Sequence, residues 1–286
     1  MEYLKRTWAE VSLDAIKHNF NEIKNKVGGR AKICCVIKAD GYGHGAVELS
    51  KIYEQLGADF FAVSNIDEGI EIREAGAKLP IVILGFTPAN EAKRLSEYNI
   101  SQAVYSLEYA KMLSKACCEQ NVVCKIHIKV DTGMSRIGFM CQEFPRDDYS
   151  VEEIRTACTL KNLELEGMFT HFARADEYDR SPAMVQLERY LDFSRRVEEA
   201  GVEIPLHHCS NSAGIIRMPE ANLNIVRAGI TIYGIYPSSE VERDIVKLEP
   251  VMELKSHVTY VKDVPAGAAI SYGGTYVADR KLRVAT

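Results

Sequence analysis

The sequence predicts an α/β fold, a (β/α)8 TIM barrel followed by the start of a C-terminal β-domain. Short apolar runs alternate with amphipathic helical patterns along most of the chain, and no hairpin turn joins consecutive runs. Eight such units occupy roughly 230 residues, a length that suits a closed barrel. A doubly wound open sheet is the alternative, because periodicity alone does not show closure.

The candidate strands are Ala31–Ile37, Asp59–Val63, Pro80–Leu84, Ser101–Tyr105, Cys124–Val130, Leu163–Thr170, Leu206–Cys209 and Asn224–Ile232. Candidate helices lie between them and include Asp67–Ala75, Ala89–Glu97, Leu107–Glu119, Val151–Leu160 and Pro182–Ala200. Before the first unit, the segment 7–12 has the pattern of a strand. Ser12 is then a suitable N-cap for an amphipathic helix that carries Ile16, Phe20 and Ile23.

From Met252 onward the pattern becomes β-rich, and the chain stops inside a strand-like run at Thr286. Two or three strands rarely form a stable sheet alone, so we expect a natural C-terminal portion beyond this point. The predicted division is a barrel domain over residues 1–240 and a partial β-domain over residues 241–286. Residues 5–12 are expected to pair with the β-domain.

Composition excludes several classes of protein. The net charge of −5, without a basic cluster interleaved with aromatics, gives no signature of nucleic-acid binding. No apolar run approaches the roughly 18 residues that span a bilayer, and no signal-peptide core appears, so we expect a cytoplasmic protein without membrane contact. The eight cysteines include no C-x-x-C pair, which favours buried reduced thiols over metal ligands.

Lys38 is the first candidate for chemistry. It ends the apolar run Ile33–Ile37, and a glycine-rich turn, Gly41 to Gly45, follows closely. A lysine at the end of a core strand is costly to bury and often simply snorkels to water. The functional alternative is that a desolvated amine forms a Schiff base with a carbonyl compound such as pyridoxal phosphate (PLP).

Other polar side chains collect at the predicted carboxyl ends of strands, where barrels place their active sites. They are Lys129, Asp131 and Arg136 after strand five, His171 after strand six, His208 before the Asn211-Ser212 pair after strand seven, and Arg227 on strand eight. Asn211, Ser212, Gly229 and Ile230 supply a hydroxyl and backbone N–H groups suited to a phosphate. A Schiff-base lysine with a phosphate cradle indicates PLP, although the cradle could also be an ordinary N-cap and turn.

Six segments together closely resemble the bacterial alanine racemases: IKADGYGHGA, KVDTGMSRIGF, THFARADE, HCSNSAG, RAGITIYG and ISYGGTY. The resemblance covers essentially the whole chain in order. It implies a PLP enzyme with a barrel and a C-terminal β-domain, acting on a small amino acid as a homodimer with shared active sites. The implied reaction is interconversion of L- and D-alanine, which supplies D-alanine for peptidoglycan.

The resemblance also implies roles for individual residues. Lys38 would bind PLP and act as one base, and Tyr272 of the partner subunit would act as the opposing base. Tyr42, Ser212, Gly229 and Ile230 would hold the phosphate, with Asn211 beside them. Arg136 would lie near the substrate carboxylate, positioned by Lys129, which is carbamylated in some members. Arg227 would donate to the pyridine nitrogen, supported by His208, while His171 would pack near the ring.

Two other functions stay open at this point. One is a serine or broad-specificity amino-acid racemase of the same family, or a barrel decarboxylase, against which Arg227 argues. The other is a PLP-binding barrel without catalysis, against which Tyr272 and the β-domain both argue.

Overall fold

The computed structural model describes residues 6–142 and 147–286, in two compact units. One unit is Ser12–Val251, and the other combines the segment ending at Val11 with Met252–Thr286. Residues 1–5 and 143–146, which fall in the predicted barrel domain, lie outside the described residues, as does residue 5 of the predicted pairing segment.

The first unit is built on a ring of parallel strands. In chain order they are Lys32–Val36, Phe60–Val63, Ile81–Ile83, Ile100–Val104, Cys124–Asp131, Leu163–Phe169, His207–His208 and Ile225–Ala228. The first seven pair in chain order, each with its neighbour, and the eighth pairs with the first, but no ladder joins the seventh to the eighth. The gap between strands seven and eight is bridged by two backbone hydrogen bonds, from Asn224 to His207 at 3.1 Å and from Arg227 to Ser210 at 3.0 Å. The predicted (β/α)8 fold is confirmed.

Helices alternate with these strands. The α-helices are Leu13–Val27, Ala46–Leu56, Ile66–Glu74, Ala92–Glu97, Leu107–Gln120, Asp148–Cys158, Ser181–Glu199 and Ser212–Arg217, and short 3-10 helices are Ala89–Glu91, Pro219–Ala221 and Ile230–Tyr233. Ser12 caps the first helix as predicted, its Oγ accepting from the Ala15 N–H at 3.2 Å. A two-residue strand, Phe139–Met140, also pairs with the fifth barrel strand.

The eighth strand is shorter than predicted. It ends at Ala228, and the apolar residues Ile230–Tyr233 form a 3-10 helix instead. The Ser212 Oγ accepts hydrogen bonds from the N–H groups of Gly229 and Thr231, which draws the chain away from the ladder. Alternation of apolar residues does not distinguish this path from a longer strand.

One part of the barrel interior is a packed apolar cluster. It joins side chains from neighbouring strands: Cys34, Val36, Phe60, Ala62, Val82 and Ile225. Cys35 is also fully buried but belongs to the opposite face of its strand, because successive side chains alternate. Each of the eight cysteines is an unbridged thiol, and six are buried as predicted, but Cys158 is only partly buried and Cys118 is exposed.

The second unit consists of antiparallel strand pairs. Thr7–Val11 pairs with Met252–Ser256, Val261–Val264 with Leu282–Ala285, and Ala269–Ile270 with Tyr276–Val277. A 3-10 turn, Tyr272–Gly274, lies inside the last of these pairs. Among the helices of the described residues, none has the length and apolar character needed to cross a bilayer.

The turn that follows Lys38 has unusual backbone geometry. Lys38–Gly43 is helical by hydrogen bonding, but Ala39, Asp40 and Tyr42 have φ of +52° and Gly41 has φ of +59°. Left-handed backbone costs an L-residue about 1–2 kcal/mol, so other contacts must hold the turn.

Two carboxylates provide those contacts. The Asp40 Oδ1 accepts from the Ala46 N–H at 2.8 Å, and Glu68 Oε1 accepts from the Ala39 N–H at 3.0 Å. Glu68 is itself held by the Ser64 N–H at 2.8 Å and the Ser64 hydroxyl at 2.7 Å. The turn after the first strand is therefore anchored to the helix Ile66–Glu74, which follows the second strand.

Gly41→Ala should destabilise the fold more than Gly43→Ala. A Cβ at Gly41 would lie 2.5 Å from the Leu49 Cδ1, whereas one at Gly43 would meet nothing within 4 Å although φ there is +82°. We expect a loss of about 2–4 kcal/mol for Gly41→Ala and about 1–2 kcal/mol for Gly43→Ala, measured by urea unfolding. Equal losses would show that the backbone conformation alone sets the cost.

Candidate active site

A cavity of about 590 Å³ opens at the carboxyl ends of the barrel strands. Many residues singled out in the sequence line it: Lys38, Tyr42, Lys129, Arg136, His171, Asn211, Ser212, Arg227, Gly229 and Ile230. Its volume is in the usual range for a site that encloses a small molecule. His208 lies behind this lining, and Tyr272 belongs to the second unit.

Lys38 enters the cavity from the end of the first strand. Its Nζ lies 5.9 Å from the centroid of the Tyr42 ring, and the Tyr42 ring meets the Tyr233 ring edge-on at 5.3 Å. Tyr42 remains 40% exposed. The left-handed turn thus places an amine and a phenol at the same end of the cavity.

Arg227 is a buried cation, with 3% of its surface exposed. Its Nη2 donates to the carbonyl oxygens of Thr170 at 2.7 Å and Cys209 at 2.9 Å, and its Nη1 donates to the His208 carbonyl at 2.9 Å. Burial lowers the pKa of Arg227, but arginine keeps its proton in proteins. The strand-end carbonyls therefore solvate a permanent charge.

The two site histidines both accept from this arginine. His208 Nδ1 lies 2.9 Å from Nη1 and His171 Nδ1 lies 3.3 Å from Nη2. Burial, with the positive charge of Arg227, holds the pKa of each imidazole well below its usual value. Both rings are consequently neutral, with their proton on Nε2. Phe169 stacks on the His208 ring, with centroids 4.7 Å apart.

Lys129 and the loop carrying Arg136 follow the fifth strand. The Asp131 Oδ1 accepts from three successive N–H groups, at 3.0, 2.9 and 3.0 Å, and so fixes residues 133–135 ahead of Arg136. Lys129 is 2% exposed, and its Nζ donates to the Val130 carbonyl at 2.6 Å. Burial, with the nearby charge of Arg227, lowers the pKa of Lys129 to about 7.

The residues of the predicted phosphate cradle lie together, with one correction to their N–H groups. The sequence leads us to expect unused N–H groups at both Gly229 and Ile230, but the Gly229 N–H donates to the Ser212 Oγ at 3.0 Å. The Ile230 N–H makes no hydrogen bond to any residue that the structure describes. Asn211 caps the following helix, its Oδ1 accepting from the Gly214 N–H at 3.0 Å. The Ser212 hydroxyl thus connects the loop after strand seven to the loop after strand eight.

The donors in this cavity fit PLP. A phosphorylated aromatic aldehyde needs an amine for its carbonyl, donors for its phosphate and a partner for its ring nitrogen. Lys38, the Ser212–Ile230 cradle and Arg227 are of those three types, and all line one cavity.

Tyr272 lies on the 3-10 turn of the second unit. Its side chain is 97% exposed. The preceding residue, Ser271, has φ of +60°, and Gly273 has φ of +73°. The turn displays the tyrosine away from its own strands.

Three residues in or beside the site were not predicted from the sequence: Phe169, His127 and Glu166. Phe169 lies 5.5 Å from both Lys129 Nζ and Arg227 Cζ, measured to the ring centroid. His127 could have been found, because it shares a strand face with Lys129 and Asp131 at a spacing of two residues. Glu166 is harder to identify from the sequence, because it is a single carboxylate inside a predicted strand.

Comparison with known proteins identifies the family. The N-terminal domain model of alanine racemases matches residues 11–237, and the C-terminal domain model matches residues 251–286. An alanine racemase of Methanococcus maripaludis is 43% identical over 279 residues, covering 98% of this chain and 74% of that protein. The structure of an alanine racemase from Clostridium difficile has a TM-score of 0.90 at 43% identity, covering 99% of this chain and 73% of that chain.

A more distant structural neighbour has a different name. A histidine racemase from Leuconostoc mesenteroides has a TM-score of 0.84 at 29% identity, covering 98% of this chain and 73% of that one. The matched domain models and the identity to the alanine racemases extend over nearly the whole chain. The chain therefore belongs to the alanine racemase family of isomerases.

Proposed function

We propose that this protein is a cytoplasmic, PLP-dependent racemase that interconverts L- and D-alanine and supplies D-alanine for peptidoglycan. The observation that carries the proposal is the barrel cavity, where a lysine amine, a buried arginine and a phosphate cradle meet. Family membership supports the same substrate class, because relatives of 43% and 44% identity are named alanine racemases.

The residues of the cavity have separate binding roles in this proposal. Lys38 would hold PLP through Nζ, while Tyr42, Ser212, Gly229 and Ile230 would bind and enclose its phosphate beside Asn211. When bound, PLP supplies an electron sink that makes the substrate Cα–H acidic. Arg227 would donate a hydrogen bond to the ring nitrogen without giving up its proton. That arrangement limits the strength of the sink and favours return of the proton to Cα.

Racemisation requires a proton to leave one face of Cα and another to arrive on the opposite face. Lys38 Nζ would serve the D-enantiomer, and the hydroxyl of Tyr272 of the partner subunit would serve the L-enantiomer. The 97% exposure of Tyr272 supports this role, since an exposed phenol is available to a second copy of the chain. The proposed assembly is therefore a homodimer with shared active sites.

His171 and Arg136 would organise the cavity around these bases. Because His171 Nδ1 accepts from Arg227, its Nε2–H remains to donate, and a tyrosine oxygen is a suitable acceptor. Arg136, fixed by the Asp131 turn, would bind the substrate carboxylate. Lys129 would support Arg136, and its lowered pKa favours the neutral amine, the form that reacts with carbon dioxide to give a carbamate.

A racemase for serine or for a broader set of amino acids is the second candidate. The histidine racemase at 29% identity favours it, since that neighbour's name gives a different amino acid on the same fold. A non-catalytic PLP-binding barrel is the third candidate.

Deuterium incorporation from solvent, measured over a panel of L- and D-amino acids, separates the three candidates. Exchange confined to alanine supports the proposal, and no exchange with PLP bound supports the carrier.

Lys38→Ala should abolish stable binding of PLP. The wild-type protein should be yellow after purification with PLP, and borohydride should bleach the visible band by reducing the carbon–nitrogen double bond. Lys32→Ala, at the opposite end of the same strand, is the matched control and should stay yellow. Equal colour in the two variants would refute the assignment of Lys38.

Tyr272→Phe should block exchange of the α-proton of L-alanine while PLP stays bound. Exchange on D-alanine should survive, because Lys38 would serve that enantiomer. The readout is deuterium incorporation by NMR, and Tyr276→Phe, at a second exposed tyrosine of the same unit, is the control. Undiminished exchange from L-alanine in the Tyr272 variant would remove Tyr272 from the mechanism.

Lys129 should make stability depend on pH in a definite direction. Its folded pKa of about 7 lies below the ordinary 10.5, so between those values the unfolded chain binds more protons. The free energy of unfolding should rise over this interval relative to Lys129→Met, measured without PLP in buffer free of carbon dioxide. Lys125→Met, at a more exposed lysine of the same strand, controls for loss of a charge. If the difference in free energy of unfolding between the wild type and Lys129→Met does not change with pH, the lowered pKa of Lys129 is contradicted.

A further inference from the structure

The charge of Arg227 lacks a direct carboxylate partner. Within 4.0 Å of its guanidinium, none of the residues 6–142 and 147–286 provides an Asp or Glu oxygen. A series of short hydrogen bonds nevertheless leads from it to one carboxylate. Arg227 Nη1 is 2.9 Å from His208 Nδ1, His208 Nε2 is 3.0 Å from His127 Nδ1, and His127 Nε2 is 2.9 Å from Glu166 Oε2.

The direction of these bonds is determined by the groups at the two ends. Arginine only donates, so His208 Nδ1 accepts and the neutral ring carries its proton on Nε2. That proton points to His127 Nδ1, which must accept, so the neutral His127 carries its own proton on Nε2. An ionised carboxylate only accepts, and Glu166 therefore completes the series. Each imidazole has one permitted tautomer.

The barrel is shaped to make room for this series, which we call the Arg227–Glu166 relay. Gly167 follows Glu166, and a Cβ there would lie 2.7 Å from the Leu206 carbonyl oxygen and 2.8 Å from His127 Nδ1. The ladder between strands five and six shifts register beside His127, between its pairing with Gly167 and that of Ile126 with Leu165. Both histidines are 1% exposed, so unpaired ring nitrogens would be costly.

Glu166 is held from several sides. Ser101 Oγ donates to the same Oε2 at 2.5 Å, and Lys125 Nζ lies 3.9 Å from Oε1. Burial alone would raise the pKa of Glu166, but the hydrogen bonds from His127 and Ser101 outweigh it and the net pKa is lowered. The carboxylate is therefore ionised at neutral pH and available as the terminal acceptor.

We infer that Glu166 is a positioning residue for Arg227, which it orients through His127 and His208 by fixing both ring tautomers. The inference rests on the proposed function for its importance to catalysis, because Arg227 is the group assigned to the cofactor ring. The proposed effect of Glu166 on the tautomers of His127 and His208 does not depend on PLP. Without the terminal acceptor, the buried His127 N–H has no partner, and the rings that support the guanidinium lose their fixed orientation.

The first experiment reads the tautomers directly in the protein without PLP. Long-range proton–nitrogen NMR of ¹⁵N-labelled histidines should show His127 and His208 neutral with the proton on Nε2 in the wild type. Glu166→Gln, whose amide oxygen still accepts, should keep these signals, whereas Glu166→Leu should lose the ordered His127 N–H. Ser101→Ala is the matched control, since it removes the other hydrogen bond to Oε2 and should leave the tautomers unchanged.

The second experiment reads the effect on the loaded enzyme. Glu166→Leu should lower kcat about tenfold with little change in KM, on the order of the loss seen when a group that orients a functional histidine is removed. Glu166→Gln should recover most of that loss, and Ser101→Ala should resemble the wild type. The absorption band of bound PLP should shift in the leucine variant only.

Each outcome decides the inference. Wild-type tautomers in Glu166→Leu, equal defects in the leucine and glutamine variants, or equal defects in Glu166→Leu and Ser101→Ala would overturn it. A wild type that binds no PLP and exchanges no α-proton would instead overturn the proposed function. In that case the NMR comparison still tests the relay.

Discussion

A permanently charged guanidinium inside the barrel is the constraint on which this end of the molecule depends. Removing such a charge from water costs far more than one hydrogen bond returns, so Arg227 must be surrounded by acceptors. Three carbonyls at the ends of strands six and seven provide them, from Thr170, His208 and Cys209. The buried cation lies where strands seven and eight meet, which two backbone hydrogen bonds join without a ladder.

The same charge determines what the cavity can bind. Lys129, Arg136 and Arg227 all line it, and the two histidines beside Arg227 are kept neutral by burial and by that positive field. Additional protons are thereby excluded from the cavity, while anionic groups are attracted. A phosphate at one end and a carboxylate at the other suit such a field. Neutral histidines also let Arg227 keep defined hydrogen bonds across the ordinary pH range.

The sequence predicted the barrel and most of the charged and polar side chains that line the cavity, because strand periodicity and strand-end position are local signals. It placed Lys38, His171 and Arg227 correctly at strand ends, since the carboxyl ends of parallel strands meet. It did not predict the 3-10 helix after Ala228 or the use of the Gly229 amide, because both depend on Ser212, seventeen residues away. The Arg227–Glu166 relay depends on contacts 19 to 81 residues apart, which no local pattern encodes.

The left-handed turn after Lys38 couples two βα segments of the barrel. Its residues adopt a backbone that is unfavourable by itself, and it is stabilised where Asp40 accepts from the Ala46 amide and Glu68 accepts from the Ala39 amide. Glu68 belongs to the helix Ile66–Glu74, which follows the second strand and not the first. A substitution that displaces this helix would therefore also weaken the turn beside Lys38, although it lies on a different βα segment.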